Sequence, residues 1–113
     1  MYLMIEAWTP KPAWLALTEA ERAEYVTAVG EGAAALAEQG VTPLAWGLTD
    51  EASHGTEHVA FAVWECGSRA GCDALRAAIA GAGWYELFDQ IDFGGEGGSP
   101  EAVLRHHVAL QAA

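Results

Sequence analysis

The side chains most able to do chemistry fall in two places along this 113-residue chain. The denser is Asp50-Glu51-Ala52-Ser53-His54-Gly55-Thr56-Glu57-His58. An imidazole that titrates near neutrality is a natural proton shuttle, and a carboxylate such as Asp50 can orient it, which makes His54 and His58 candidate acid–base groups. Their i, i+4 spacing would suit a metal on a helix. In a turn running into a strand it gives them no common face, so no metal site is expected. The competing reading is a solvated hairpin loop. The second place is Glu6, in the middle of Tyr2-Leu3-Met4-Ile5-Glu6-Ala7-Trp8. Carboxylates are depleted in strands and costly to bury unpaired. Facing an apolar pocket, Glu6 would have a raised pKa and serve as a general acid or base. Facing water, an arginine or a hydroxyl, it would be an ordinary strand residue.

Around these candidates stand five tryptophans. Trp8, Trp46 and Trp64 lie in strand-like runs, whereas Trp14 and Trp84 mark a loop and a helix end, where they are expected to pack. Several large flat indoles on one sheet either line a pocket for a flat organic molecule or make a dense interface. Trp8, Trp46, Phe61, Trp64 and Tyr85 are the candidate pocket walls. Tyr85 and Asp89 are four apart and could face one cavity from its lip, or be plain packing and a surface carboxylate. His107 shares a stripe with Val103 and Leu110 and is expected to close over the sheet, or to be a satisfied core or interface histidine.

The elements that must position these groups follow from periodicity. Residues 2–9 alternate, with Tyr2, Met4, Glu6 and Trp8 on one face and Leu3, Ile5 and Ala7 on the other. Both faces are largely apolar, as in a strand covered on both sides. Thr18 and Glu21 form a capping box ahead of a helix whose stripe reads Ala23, Val26, Val29, Ala33 and Leu36, ending at Gly40. Two strands follow, over residues 43–49 and 58–66, joined by the polar loop as an antiparallel pair. Ser68 caps a second helix with Cys72, Leu75, Ile79 and Ala82 inward. Trp84 to Phe88 adds a turn of helix and Asp89 to Phe93 a short fourth strand. Gly94-Gly95-Glu96-Gly97-Gly98 reads as a hinge before a helix opened by Ser99 and Pro100. It lacks a phosphate-loop pattern.

This order is β-α-β-β-α-β with an added C-terminal helix, an α+β fold of the ferredoxin-like arrangement. Residues 1–93 form its body, and residues 94–113 a glycine hinge and terminal helix of the same domain. Two helices cover one face of such a sheet. A second copy is the simplest cover for the other, so a homodimer is expected.

Over most of residues 1–93 the chain resembles the dimeric α+β barrel superfamily, and in Phe61-Ala62-Val63-Trp64-Glu65-Cys66-Gly67-Ser68-Arg69-Ala70 its antibiotic-biosynthesis-monooxygenase-like members. Met1 to Trp8 and Gly83-Trp84-Tyr85-Glu86 are similar to a narrower, functionally uncharacterised group of small barrels. The resemblance implies a sheet-to-sheet dimer and, at Trp64, a counterpart of the family's third-strand tryptophan. Haem-degrading members use an asparagine and a second-helix histidine. This chain contains no asparagine, and Ala74-Leu75 stand at the histidine's place. Cofactor-free oxygenation of an electron-rich aromatic is the chemistry the resemblance leaves open.

Composition bounds the partners. The net charge is −11, and the five lysines and arginines are scattered, so nucleic acid and anionic membranes are not expected partners. No apolar run reaches the roughly 18–20 residues of a membrane span, and no positive charge precedes the first apolar stretch as a signal peptide would require. Cys66 and Cys72 form no Cys-x-x-Cys pattern, which fits a reduced, cytoplasmic chain, and Cys72 is expected to be a buried inert thiol. The expected function is binding of a small aromatic or polyketide-like molecule, or cofactor-free enzymology on it by proton-transfer-assisted oxygenation, isomerisation or cyclisation. No cofactor is called for. The alternative is a non-catalytic homodimeric interaction protein with its tryptophans in the interface.

Overall fold

A computed structural model describes residues 1–112. The alternating N-terminal segment forms strand β1 (Tyr2–Pro10), with Met4, Glu6 and Trp8 buried on one face and Leu3, Ile5 and Ala7 half-buried on the other. The one-turn helix α1 (Pro12–Leu15) leads to α2 (Glu19–Ala37), which opens with the expected capping box: Glu21 N–H donates to the Thr18 hydroxyl, and the Glu21 carboxylate accepts from Thr18 N–H. Strands β2 (Thr42–Leu48) and β3 (Ala60–Glu65) follow, then helix α3 (Arg69–Gly81) capped by Ser68, the one-turn α4 (Trp84–Leu87), strand β4 (Phe88–Glu96) and helix α5 (Pro100–Val108). The four strands form one antiparallel sheet in the order β2-β3-β1-β4, so the molecule is α+β and Glu6 lies on a central strand. No helix among the described residues is long and apolar enough to cross a membrane.

The core lies between the Met4–Glu6–Trp8 face and the helices, with Ala62, Trp64, Leu75 and Cys72 buried there. Close approach of α3 to the end of β3 depends on Gly71, where a Cβ would sit 1.9 Å from the Cys66 carbonyl oxygen. The other sheet face is apolar and uncovered within one chain. It carries Leu3, Ile5, Phe61 and Val63, with Ile91 51% and Phe93 60% exposed. Helix α5 is exposed along its whole length, and the radius of gyration of 16.3 Å exceeds the roughly 13 Å usual for this chain length.

Three expectations change. The inward stripe of α2 is Tyr25, Val29, Ala33 and Leu36, while Val26 is 59% exposed. Tyr25 sets this rotation by packing on Trp14 and donating its hydroxyl to the Ala82 carbonyl at 2.9 Å. Second, Gly94 and Gly95 are strand rather than hinge, paired with Met4 and Leu3 of β1. Gly94 leaves room there, since a Cβ would lie 2.8 Å from the Leu3 carbonyl and 2.9 Å from the Arg76 guanidinium. Third, β3 begins at Ala60, so His58 belongs to the preceding loop. Residue 113, the end of the expected terminal segment, lies outside the described residues.

Candidate functional site

Glu6 is 3% exposed. A carboxylate in that position costs several kcal/mol unless polar groups replace its lost water. Two do so. Trp64 Nε1–H donates to Oε1 at 3.1 Å and Gln90 Nε2–H to Oε2 at 2.9 Å. Gln90 is fixed in turn by Trp84 Nε1–H, which donates to its Oε1 at 2.7 Å. Sheet register produces the arrangement: Trp64 lies opposite Met4, Gln90 opposite Trp8, and Asp92 opposite Glu6. Burial pushes the Glu6 carboxyl above the ordinary value of 4.5, the bonds from Trp64 and Gln90 oppose that, and the neighbouring Asp92 charge adds to it.

Glu6 opens onto a cavity of about 200 Å³ between the sheet and helices α2 and α3. Small residues create it. Ala28, Gly32 and Ala33 of α2, Ala78 of α3 and Ala82 just after it leave the gap, which Tyr25, Val29, Leu36, Leu75 and Ile79 border. Trp46, Trp64, Trp84 and Tyr25 supply the aromatic walls, with Trp46 and Trp64 edge to face at 5.8 Å. A small, mainly apolar cavity with one buried carboxyl is the arrangement in which a proton-transfer group and an apolar ligand meet.

A second polar group flanks Glu6 through Asp92. The Tyr85 hydroxyl donates to Asp92 Oδ2 at 3.2 Å, and Arg76 Nε lies 3.5 Å from Oδ1. Burial first, then the Asp92 charge, pushes the Tyr85 hydroxyl above its ordinary value. Tyr85 therefore pairs with Asp92 rather than with Asp89, which is exposed on the other face of β4.

Of the expected binding residues, Trp46 and Trp64 line the cavity. Trp8 is buried behind them, edge-on to Trp46 at 5.1 Å and to Trp84 at 5.4 Å. Phe61 lies on the opposite sheet face, its ring over the backbone of Gly47, where a Cβ would be 2.8 Å from it. One step of strand alternation separates it from the inward-facing Ala60 and Ala62. His107 does not close over the sheet; it is exposed on α5 with Nδ1 3.0 Å from the Val103 carbonyl. Trp14 packs as expected, on Tyr25 and Phe88.

The Asp50–His58 segment is apart from the Glu6 cavity. Asp50 and His54 are exposed, and Asp50 Oδ1 accepts from Ala52 N–H at 3.1 Å in a local turn. His58 Nδ1 lies 2.9 Å from the Thr9 hydroxyl and borders a shallow open groove with Thr56, Glu57 and Asp89. The structure brings none of these three to Glu6. Reading the sequence missed Tyr25, Trp84, Gln90 and Asp92. For Gln90 and Asp92 the usable signal was strand alternation, which places them on the face of Glu6. Cys66 and Cys72 are both buried free thiols, and burial together with the adjacent Cys72 pushes Cys66 up to about 12, far from nucleophilic. Among the described residues no group of three or more His, Cys, Asp or Glu side chains converges as a metal site would require.

A family model described as a family of unknown function (DUF6616) matches residues 1–110. The chain belongs to that family. No curated protein matches it significantly. The DUF6616 match spans the sheet, the cavity and nearly all of the terminal helix, so the Glu6 site lies wholly within the matched region.

Proposed function

We propose that the Glu6 cavity binds a small, flat, mainly apolar molecule and that Glu6 exchanges a proton with it. On this reading the chain is a cofactor-free proton-transfer enzyme acting in oxygenation, isomerisation or cyclisation. The observation that carries it is a carboxyl 3% exposed, set among indoles at the edge of an otherwise apolar cavity. Trp64 and Gln90 occupy two of the roughly four lone-pair positions of the carboxylate, which leaves acceptor capacity for a ligand. The ionised form takes a proton from an acidic C–H or O–H of the ligand, leaving a delocalised anion and a neutral carboxylic acid. Return of that proton to another atom gives an isomer. The raised pKa brings both forms nearer to neutral pH, where a general acid–base is most effective.

The test is exchange. Enolisable and phenolic aromatics of one or two rings are incubated with the protein in D2O, and C–H to C–D exchange is followed by NMR. The wild type should accelerate exchange in at least one compound, and Glu6→Gln should lose about 100-fold or more of that rate. Equal rates for the two proteins would sink the reading.

We further infer a ferredoxin-like subunit paired sheet to sheet in a dimeric barrel. The strand order β2-β3-β1-β4, the uncovered apolar face and the exposed α5 support it. The non-catalytic interaction reading draws on the same face, with Phe61, Ile91 and Phe93 rather than tryptophans as its contact residues. Light scattering on Phe93→Asp, which places a charge in that face, should show a monomer where the wild type shows a dimer.

A further inference from the structure

The cavity wall is rich in acceptor and poor in donor. Trp64 Nε1–H is given to Glu6, Trp84 Nε1–H to Gln90, and the Tyr25 hydroxyl to the Ala82 carbonyl. The remaining lining donor, on Trp46, belongs to a half-exposed residue of the edge strand. Glu6, by contrast, has filled only two of the roughly four lone-pair positions of a carboxylate. A bound molecule thus finds an acceptor waiting and must bring the donor itself.

Charge points the same way. Among the described residues no lysine, arginine or histidine lines the cavity. Arg76, on the Asp92 side, is held by Asp73 and Asp92. Asp92 sits opposite Glu6 in the sheet, a second negative charge beside the first, in a chain of net charge −11. A carboxylate or phosphate ligand would be repelled there with no cation to receive it. Tyr25, Trp46, Trp64 and Trp84 line the cavity, and the electron-rich face of an aromatic ring attracts a cation, most strongly when water is excluded.

We propose that the ligand is a small organic cation, a protonated amine on a one- or two-ring apolar frame, with its ammonium at Glu6 and its frame among the aromatic rings. This rests on the Glu6 cavity being the ligand site and fixes the class of molecule it takes. The size agrees: about 200 Å³ lies below the roughly 300–1,000 Å³ of sites for drug-sized ligands. The ammonium replaces the hydration that burial removed from the carboxylate, and the rings offset the water the ammonium itself gives up.

The experiment uses three matched probes, 2-phenylethylamine, 2-phenylethanol and 3-phenylpropanoate, titrated into the full chain by calorimetry while the Trp64 indole N–H resonance is followed by NMR. The amine should bind about tenfold or more tightly than the alcohol, as a charge-assisted hydrogen bond allows, and the propanoate most weakly. Glu6→Gln should level amine and alcohol. Ala78→Leu, which fills the cavity without touching the carboxyl, should weaken both alike and serves if Glu6→Gln does not fold. Alcohol or propanoate binding as tightly as the amine would overturn the cation class while leaving the cavity as a ligand site. If none of the three moved the Trp64 resonance, the cavity reading would fail and this proposal with it.

Discussion

The Glu6 cavity and the Asp50–His58 loop are two candidate sites of this molecule, and they are built in opposite ways. The loop holds more titratable groups, but Asp50 and His54 are exposed and the hydrogen bonds of Asp50 are local. Around the cavity there is one buried carboxyl, and residues from β1, β3, β4 and α4 converge on it through Trp64, Gln90 and Trp84. Water reaches Asp50 and His54 in the loop and screens their charges. Glu6 itself is buried, so each interaction with it carries more weight. Density of functional groups in sequence is a poor guide to chemistry; convergence on a buried group is a better one.

That contrast can be broken most forcefully at Trp64. Trp64→Ala removes a buried indole and a donor to Glu6, and should lower stability by about 3–5 kcal/mol in denaturant unfolding. A loss below about 1 kcal/mol would mean the cavity wall is no more organised than the loop.

The pH dependence comes next. Glu6 has a folded-state pKa raised above 4.5, so the folded state binds more protons than the unfolded chain in the window just above that value. Its contribution is fully present below 4.5 and is lost as pH rises through the folded pKa. Unfolding midpoints of wild type relative to Glu6→Gln should therefore fall as pH rises from 4 toward neutrality, a sign opposite to that of a salt-bridged carboxylate. A difference that is flat or rises with pH would contradict the burial account.

These two residues also show what was legible in the sequence. The face of β1 that holds Met4, Glu6 and Trp8 followed from alternation alone, and Thr18 with Glu21 marked the start of α2. The rotation of α2 was not legible, because alanines surround the helix on every side and only the contacts of Tyr25 choose a face. Strand β4 inverts the usual pattern: apolar Ile91 and Phe93 point to the uncovered face, and polar Gln90 and Asp92 point toward the helices. Binary patterning alone would bury the wrong pair. Gln90 makes sense only once Glu6 needs a partner across the sheet, and that need is a tertiary fact. Trp84 was read as a packing residue for the same reason.

Asp92→Asn sharpens the comparison with a smaller effect. Removing the charge opposite Glu6 should lower the Glu6 pKa, since that charge contributes to raising it. NMR titration checks the direction, and an upward shift would show that Asp92 acts through packing instead. The smallest effect belongs to the loop. His54→Ala should change stability by no more than about 0.5 kcal/mol and leave probe binding in the cavity unaltered. If it abolished binding, the ranking of the two regions would be reversed.

The most direct measurement is a carbon-13 NMR titration of the Glu6 side-chain carboxyl in the wild-type protein, with and without 2-phenylethanol. The account predicts a midpoint above 4.5 in the free protein and a further change when the alcohol enters the cavity. A carboxyl that titrates at or below 4.5 and ignores the alcohol would contradict it.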